Sequence, residues 1–253
     1  MKKIYFYFSV ILISFCLLTT TILANPYPSV VGESAILIDR KTGTVLYEKN
    51  SNIRMYPAST TKILTSILCI ENLNTSDVMS KTSSSVNNVP SNSSHIGLSV
   101  GDNFSVLDGI YSVMLGSDNY VSHDLALYLD NSIPNFANRM NQKAKEIGAY
   151  NSNFVNPHGY HNPNHYTTAK DLALIANYAF DNSTFRQIAS SQNHTLKRYN
   201  RPNNPIYFEH TVQLLNPKSA FYNSNSIGGK TGFHTPAGRC LVAAANKDDM
   251  EII

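Results

Sequence analysis

Charge is scarce in this chain. Only 15% of its 253 residues are Asp, Glu, Lys or Arg, and 20 basic against 17 acidic side chains leave a formal charge of +3. A balance so near neutral argues against a nucleic-acid binder, which carries a basic stripe to meet phosphates. Cysteine is rarer still: three residues are too few for a disulfide scaffold. No segment recurs at a period of about 20 to 50 residues, which argues against a solenoid or propeller. Low charge does not signal disorder here, because 42% of the residues are hydrophobic and the length suffices to bury a core.

The first 24 residues read as an export signal. Met1-Lys2-Lys3 is basic, Ile4 to Ala24 carry no charge, and Asn25-Pro26-Tyr27-Pro28 breaks any helix. Ala24 is the expected last residue removed, although Ile22 is larger than the small residue preferred there. The alternative is an uncleaved anchor, since such a stretch can span a bilayer. Bulky Phe15 before Cys16 argues against lipid attachment. Either way, residues 25–253 are expected to work outside the cytoplasm, with Cys69 and Cys240 as the remaining thiols.

Ala35 to Asp39 and Thr44 to Tyr47 flank Arg40-Lys41-Thr42-Gly43, which predicts a hairpin. Ile63, Leu64, Ile67 and Leu68 recur at helical spacing after Pro57, and so do Val106, Leu107, Ile110, Tyr111, Met114 and Leu115 before Gly116. Further helices are expected around Leu125–Leu129, over Phe136–Ile147 before Gly148, and after the capping box Thr168-Ala169-Lys170-Asp171. Residues 72–105 and 151–166 read as irregular, the first with short strands. Ile227 to Phe233, Cys240 to Ala245 and a last piece from Glu251 read as strands. The expected fold is mixed α/β: strands from both ends in one antiparallel sheet, flanked by helices, with a helical lobe and a cleft between.

Ser59-Thr60-Thr61-Lys62 opens a predicted helix, and a spacing of three puts both side chains on one face. A serine hydroxyl needs a base, and a lysine made neutral by burial or a nearby cation can supply one. Alone, the tetrapeptide reads equally well as a capping serine with a surface lysine. Lys230-Thr231-Gly232 adds a cation, a hydroxyl for a carboxylate and a residue that lets a substrate backbone lie close. The second copy, Lys41-Thr42-Gly43, falls in the predicted hairpin turn and reads as a decoy. Ser117-Asp118-Asn119 offers a proton-relaying hydroxyl and an amide for a substrate carbonyl.

In this order, Ser-x-x-Lys, Ser-x-Asn and Lys-Thr-Gly form the motif set of penicillin-binding proteins and class A β-lactamases. The flanks extend the likeness. ESAILIDRKTGTVLYEKNSNIRMYPASTTK (33–62), KAKEIGAYNSNFVNPHGY (143–160), HYTTAKDLALIANYA (165–179) and GGKTGFHTPAGRCLVAAA (228–245) resemble the serine-type D-alanyl-D-alanine carboxypeptidases of low molecular weight. The resemblance implies a β-lactamase/transpeptidase-like fold, with Ser59 as acylated nucleophile and Lys62 as its base. Ser117, Asn119 and Lys230 would complete the catalytic set. Thr231, Gly232 and Phe233 would bind substrate, with the N–H groups of Ser59 and Phe233 as oxyanion hole. It implies no metal or organic cofactor. The substrate would be a peptidoglycan stem peptide and β-lactams would be covalent inhibitors; a membrane-surface association is compatible with it. A small residue is common in the family where Asp118 stands. The family's domain also continues past Ile253, so residues 25–253 read as C-terminally truncated, lacking the last sheet strand and a C-terminal helix.

Three other readings stand beside this one. A class A β-lactamase needs a deacylating glutamate followed by two residues and then Leu-Asn; Glu146 and Glu209, the glutamates between Ser117 and Lys230, lack that context. A metal-dependent hydrolase would use His158, His161 and His165, with His194, His210 and His234 as further candidates; these fall in a loop or at irregular spacing. A non-catalytic relative that binds muropeptides or β-lactams would be acylated without turnover.

Overall fold

The computed structural model describes residues 29–253, so the export signal expected over residues 1–24 lies outside the described residues. The chain begins with the expected hairpin, β1 (Ala35–Ile38) and β2 (Val45–Lys49), paired antiparallel. Strands β3 (Val78–Ser80) and β4 (Asn103–Ser105) pair with each other, as do β5 (Asn193–Leu196) and β6 (Ile206–Glu209). Near the other end, β7 (Ser226–His234), β8 (Gly238–Lys247) and β9 (Met250–Ile252) form an antiparallel meander.

The two ends meet, as the strand pattern predicts. Asp39 and Ile252 form an antiparallel bridge, Ile38 and Ile253 exchange two backbone hydrogen bonds of 2.8 and 3.1 Å, and Arg40 N–H donates to Glu251 C=O at 2.8 Å. The strands therefore run β2-β1-β9-β8-β7. The three-residue β9, where the sequence pattern predicts a strand to start at Glu251, lies between β8 and β1. The Arg40 guanidinium locks the seam by pairing with Glu251 and, at 2.7 Å, with Asp181. β7 is left as an edge strand.

Among the described residues there are seven α-helices: α1 (Lys62–Asn72), α2 (Ser83–Asn88), α3 (Val106–Met114), α4 (Asn119–Asp130), α5 (Ile133–Ile147), α6 (Ala169–Asp181) and α7 (Ser183–Ser190). α1 is buried all round from Lys62 to Cys69, which fits a helix running through the core rather than over it. It packs against α3, α4, α5, α6 and α7, while α6 packs on β1 and α7 on β7. The ends obey the capping rules: Ser105, Asp118, Ser132, Thr168 and Asn182 each accept an N–H of the first turn, and Gly148 ends α5 at φ +93°. No helix among the described residues is long and apolar enough to cross a membrane. Cys69 and Cys240 are free thiols, Cys69 in the core and Cys240 on β8.

Candidate active site

Ser59 sits in a 3-10 turn, Ala58–Thr61, that leads into α1. Pro57 C=O accepts both the N–H and the hydroxyl of Thr60, at 3.2 and 2.6 Å. Ala58 takes φ +47°, a left-handed conformation without glycine that costs on the order of 1–2 kcal/mol. Its surroundings hold it there. A Cβ on Gly159 would stand 1.8 Å from Ala58 O, and one on Gly232 would stand 2.9 Å from Ser59 N and 3.1 Å from Pro57 O. Both positions require glycine because a loop on one side and β7 on the other press on the serine turn.

Lys62 is the first residue of α1 and fully buried. Its Nζ lies 2.9 Å from Ser59 Oγ, 2.6 Å from Asn119 Oδ1 and 2.8 Å from the carbonyl oxygen of His158. Burial, reinforced by the charge of Lys230 and opposed by Asp118, pushes the Lys62 pKa well below the usual lysine value. A neutral amine has two N–H bonds and one lone pair. Asn119 and His158 offer acceptors for both N–H groups, which leaves the lone pair for the Ser59 hydroxyl.

Ser117 stands between α3 and α4 at φ +57°. Its Oγ accepts from Lys230 Nζ at 3.0 Å, and the same ammonium donates to Thr231 C=O at 3.0 Å. Lys230 is fully buried, and burial lowers its pKa to about 7. Asp118, next in the chain, caps α4 through Val121 N–H at 2.9 Å and anchors residue 96 by accepting Ile96 N–H at 2.9 Å. Burial raises its pKa, against the pull of those N–H groups and of Lys81 and Lys62. The Thr231 hydroxyl pairs with Thr211 Oγ1 at 2.6 Å, and the Phe233 ring is exposed.

Ser59, Lys62 and Asn119 thus share one hydrogen-bonded group and Ser117 and Lys230 a second, close enough that the charge of Lys230 acts on Lys62, and Gly232 packs directly on the serine turn. Lys41-Thr42-Gly43 lies in the β1–β2 turn, where Thr42 bonds Asp39 and Gly43 takes φ +71°.

Sequence reasoning missed the groups that act through their backbone or through one buried contact. His158 contributes its carbonyl, and Pro157 C=O accepts the Thr65 hydroxyl at 2.6 Å. His165 Nδ1 accepts Val155 N–H at 3.1 Å, which leaves Nε2–H for Thr61 Oγ1 at 2.8 Å; burial holds its pKa at about 3, so the ring is neutral. The His-Gly and His-Tyr pairs in the predicted loop were the available signal. Among the described residues, no three His, Cys, Asp or Glu side chains gather as metal ligands would. His194 instead bonds Asp108 at 2.6 Å, and the Nδ1 atoms of His210 and His234 each accept a nearby backbone N–H at 3.1 Å.

A family model described as D-alanyl-D-alanine carboxypeptidase matches residues 20–253. The D-alanyl-D-alanine carboxypeptidase DacF of Bacillus subtilis is 34% identical over 225 residues, which is 87% of this chain and 56% of that protein. The DacA enzyme of Haemophilus influenzae is 32% identical over 89% of this chain and again 56% of its own length. The chain therefore spans just over half the length of these two relatives. It covers more of the D-alanyl-D-alanine carboxypeptidase of Streptomyces K15: 80%, at 31% identity over 89% of this chain. The crystal structure of the Streptomyces K15 DD-transpeptidase superposes with a TM-score of 0.80 at 29% identity, covering 89% of this chain and 88% of that one.

Proposed function

This chain belongs to the D-alanyl-D-alanine carboxypeptidase family, and from that premise we propose that it removes the terminal D-Ala of peptidoglycan stem peptides through an acyl-enzyme on Ser59. The observation that carries the reading is the Lys62 amine, 2.9 Å from Ser59 Oγ, its pKa pushed well below the usual lysine value by burial and by Lys230.

In this mechanism Ser59 Oγ attacks the carbonyl carbon of the penultimate D-Ala while its proton passes to Lys62 Nζ. The carbonyl oxygen takes the electron pair and the N–H groups of Ser59 and Phe233 receive it; losing such a donor costs about 100- to 1000-fold in turnover. As the tetrahedral intermediate collapses, the C–N bond breaks and the leaving amine needs a proton. Ser117, hydrogen-bonded to Lys230, is the relay to it, replenished from the lysine cluster. D-Ala departs. Water, activated by Lys62 in turn, attacks the ester and returns Ser59 to its hydroxyl form. Asn119 orients both Lys62 and the acyl carbonyl.

The Streptomyces K15 enzyme is named both for carboxypeptidase and for DD-transpeptidase activity, so an amine in place of water as acyl acceptor is the second reading. β-Lactams would acylate the same hydroxyl. No glutamate here stands in the context a deacylating β-lactamase base requires, so the adduct should persist. The reading includes export by residues 1–24 and work by residues 25–253 in the cell wall or at the membrane surface.

The test is labelling with a fluorescent penicillin, adduct mapping by mass, and assay of D-Ala release from a peptide ending in D-Ala-D-Ala. The expected results are an adduct on Ser59 and released D-Ala. An adduct on another residue overturns the assignment, and a Ser59 adduct without D-Ala release points to a non-catalytic relative that binds muropeptides.

A further inference from the structure

The proposed mechanism gives the cleft a direction. Ser117, 3.0 Å from Lys230 Nζ, serves the leaving amine, and Phe233 N–H holds the carbonyl under attack. The departing D-Ala therefore lies toward Lys230 and Thr231. The retained peptide runs the other way, past Phe233 toward His234, the last residue of β7.

That end of the cleft has side chains of its own. Successive residues of a strand alternate faces, so His234 shares the face of Gly232, which packs on the serine turn. The rings of His234 and His161 meet edge to face, with centroids 5.3 Å apart. The Tyr56 ring lies 4.7 Å from His161 and 6.3 Å from His234. Tyr56 leads into the serine turn, and His161 follows Gly159, which presses on Ala58. Both imidazoles are partly buried. His234 Nδ1 accepts Ala237 N–H at 3.1 Å, so the neutral ring carries its proton on Nε2. His161 Nδ1 is buried and has no hydrogen-bond partner among the described residues, so no bond at that atom fastens the ring in place.

The charge around this pair has one sign. The segments that build this end of the cleft, residues 51–70, 151–166 and 226–247, contain no Asp or Glu but five Lys or Arg and four His. Burial and the neighbouring His161 both lower the His234 pKa. Such a site repels a second cation and attracts an anion.

Resting on the proposed function, we propose that His161 and His234 are specificity-determining residues: they read the residue that precedes the acylated D-Ala and favour a side chain ending in a carboxylate. The two rings come from different segments and offer N–H donors from two sides, and a hydrogen bond to an ionised acceptor is about twice as strong as a neutral one. An amine at the same place would meet donors and like charge.

The experiment measures, by mass, the rate at which Ser59 is acylated by three penicillins that differ at one carbon of the acyl side chain, the part that stands for the retained peptide. Carbenicillin carries a carboxylate there, benzylpenicillin hydrogen and ampicillin an amine. The variants are His161→Phe, which keeps a ring, and His234→Asn, which keeps an acceptor for Ala237 N–H and loses Nε2. Each rate is divided by the benzylpenicillin rate of the same protein, which cancels any general effect on the serine turn. The carbenicillin ratio is expected to fall about 10-fold in each variant, the lower end for a hydrogen bond to a charged group, while the ampicillin ratio does not fall. A carbenicillin ratio unchanged in either variant, or an ampicillin ratio that falls, overturns the role of the pair and leaves the acyl-enzyme reading standing. Absence of any Ser59 adduct in wild type overturns both.

Discussion

Lys62 and Lys81 each point an amine at a serine hydroxyl, and their surroundings make them opposites. Lys62 Nζ lies 2.9 Å from Ser59 Oγ, and Lys81 Nζ lies 2.5 Å from Ser85 Oγ. Burial lowers the pKa of both. Around Lys81 the neighbouring charges are negative. Asp124 sits 3.7 Å away, the Tyr120 ring lies 4.1 Å beneath, and Asp124 and Asp118 both pull the pKa back up. Around Lys62 the strongest neighbouring charge is the cation Lys230, which adds to the effect of burial. A serine–lysine contact becomes a nucleophile–base pair only where the surrounding charges favour the neutral amine. Where a carboxylate favours the ammonium, the same contact is a fastener, here between α4 and the start of α2. Exposure differs in the same sense: Ser59 is half-buried at the surface, whereas Ser85 is sealed.

The sharpest way to break this contrast is to remove each amine. Lys62→Met should slow penicillin acylation by about 10²- to 10⁴-fold, the usual worth of a general base, while Lys81→Met leaves Ser59 labelled. Equal loss in the two variants, measured by stopped-flow labelling, would show that the contacts do not differ in kind. Next in size is Asp124→Asn. It leaves Lys81 buried without its counter-charge, so unfolding by denaturant should show a loss of about 3–5 kcal/mol with Ser59 still reactive. An unchanged midpoint would mean that the pair is not a fastener. The smallest effect is a slope. An unfolded lysine titrates near 10.5 and folded Lys230 at about 7. Between those values the folded chain has released a proton that the unfolded chain retains. Stability therefore rises with pH across that window, and below it the full cost of burying the cation is felt. Relative to Lys230→Met, the wild type should gain up to about 1.4 kcal/mol per pH unit between pH 7 and 10. A difference that stays flat would place the lysine pKa elsewhere.

Much of this arrangement was legible in the residues. The apolar spacing in α1, α3 and α5, the Gly148 stop and the Thr168 cap are local signals, and each element stands where its signal does. Other elements were not legible, for physical reasons. α2 is Ser-Ser-Ser-Val-Asn-Asn, composed of poor helix formers, and it holds through its Thr82 cap and the Asp124 contacts. α4 begins at Asn119, six residues before its predicted start, because Asp118 is the cap as well as part of a motif. α7 and the β5–β6 hairpin went unread because their patterns are short. The three motifs were readable as side chains, and position in the fold separated the two Lys-Thr-Gly copies. The His158 carbonyl and the left-handed Ala58 have no letter of their own: any residue has a carbonyl, and the strain at Ala58 is imposed by glycines about 100 and 174 positions away.

The seam between β1 and β9 bears on how the molecule is made. A hairpin that forms within the first fifty residues finds its second neighbour only in β9, more than two hundred positions later. Such long-range pairing slows folding, since a very large loop must close before the contact is gained. A nascent chain emerging from a ribosome or a translocation pore would hold that hairpin's outer edge unpaired until residues 250–253 have emerged. Through this whole interval the edge is open to mispairing with other chains, which makes it the place where a holding chaperone would matter most.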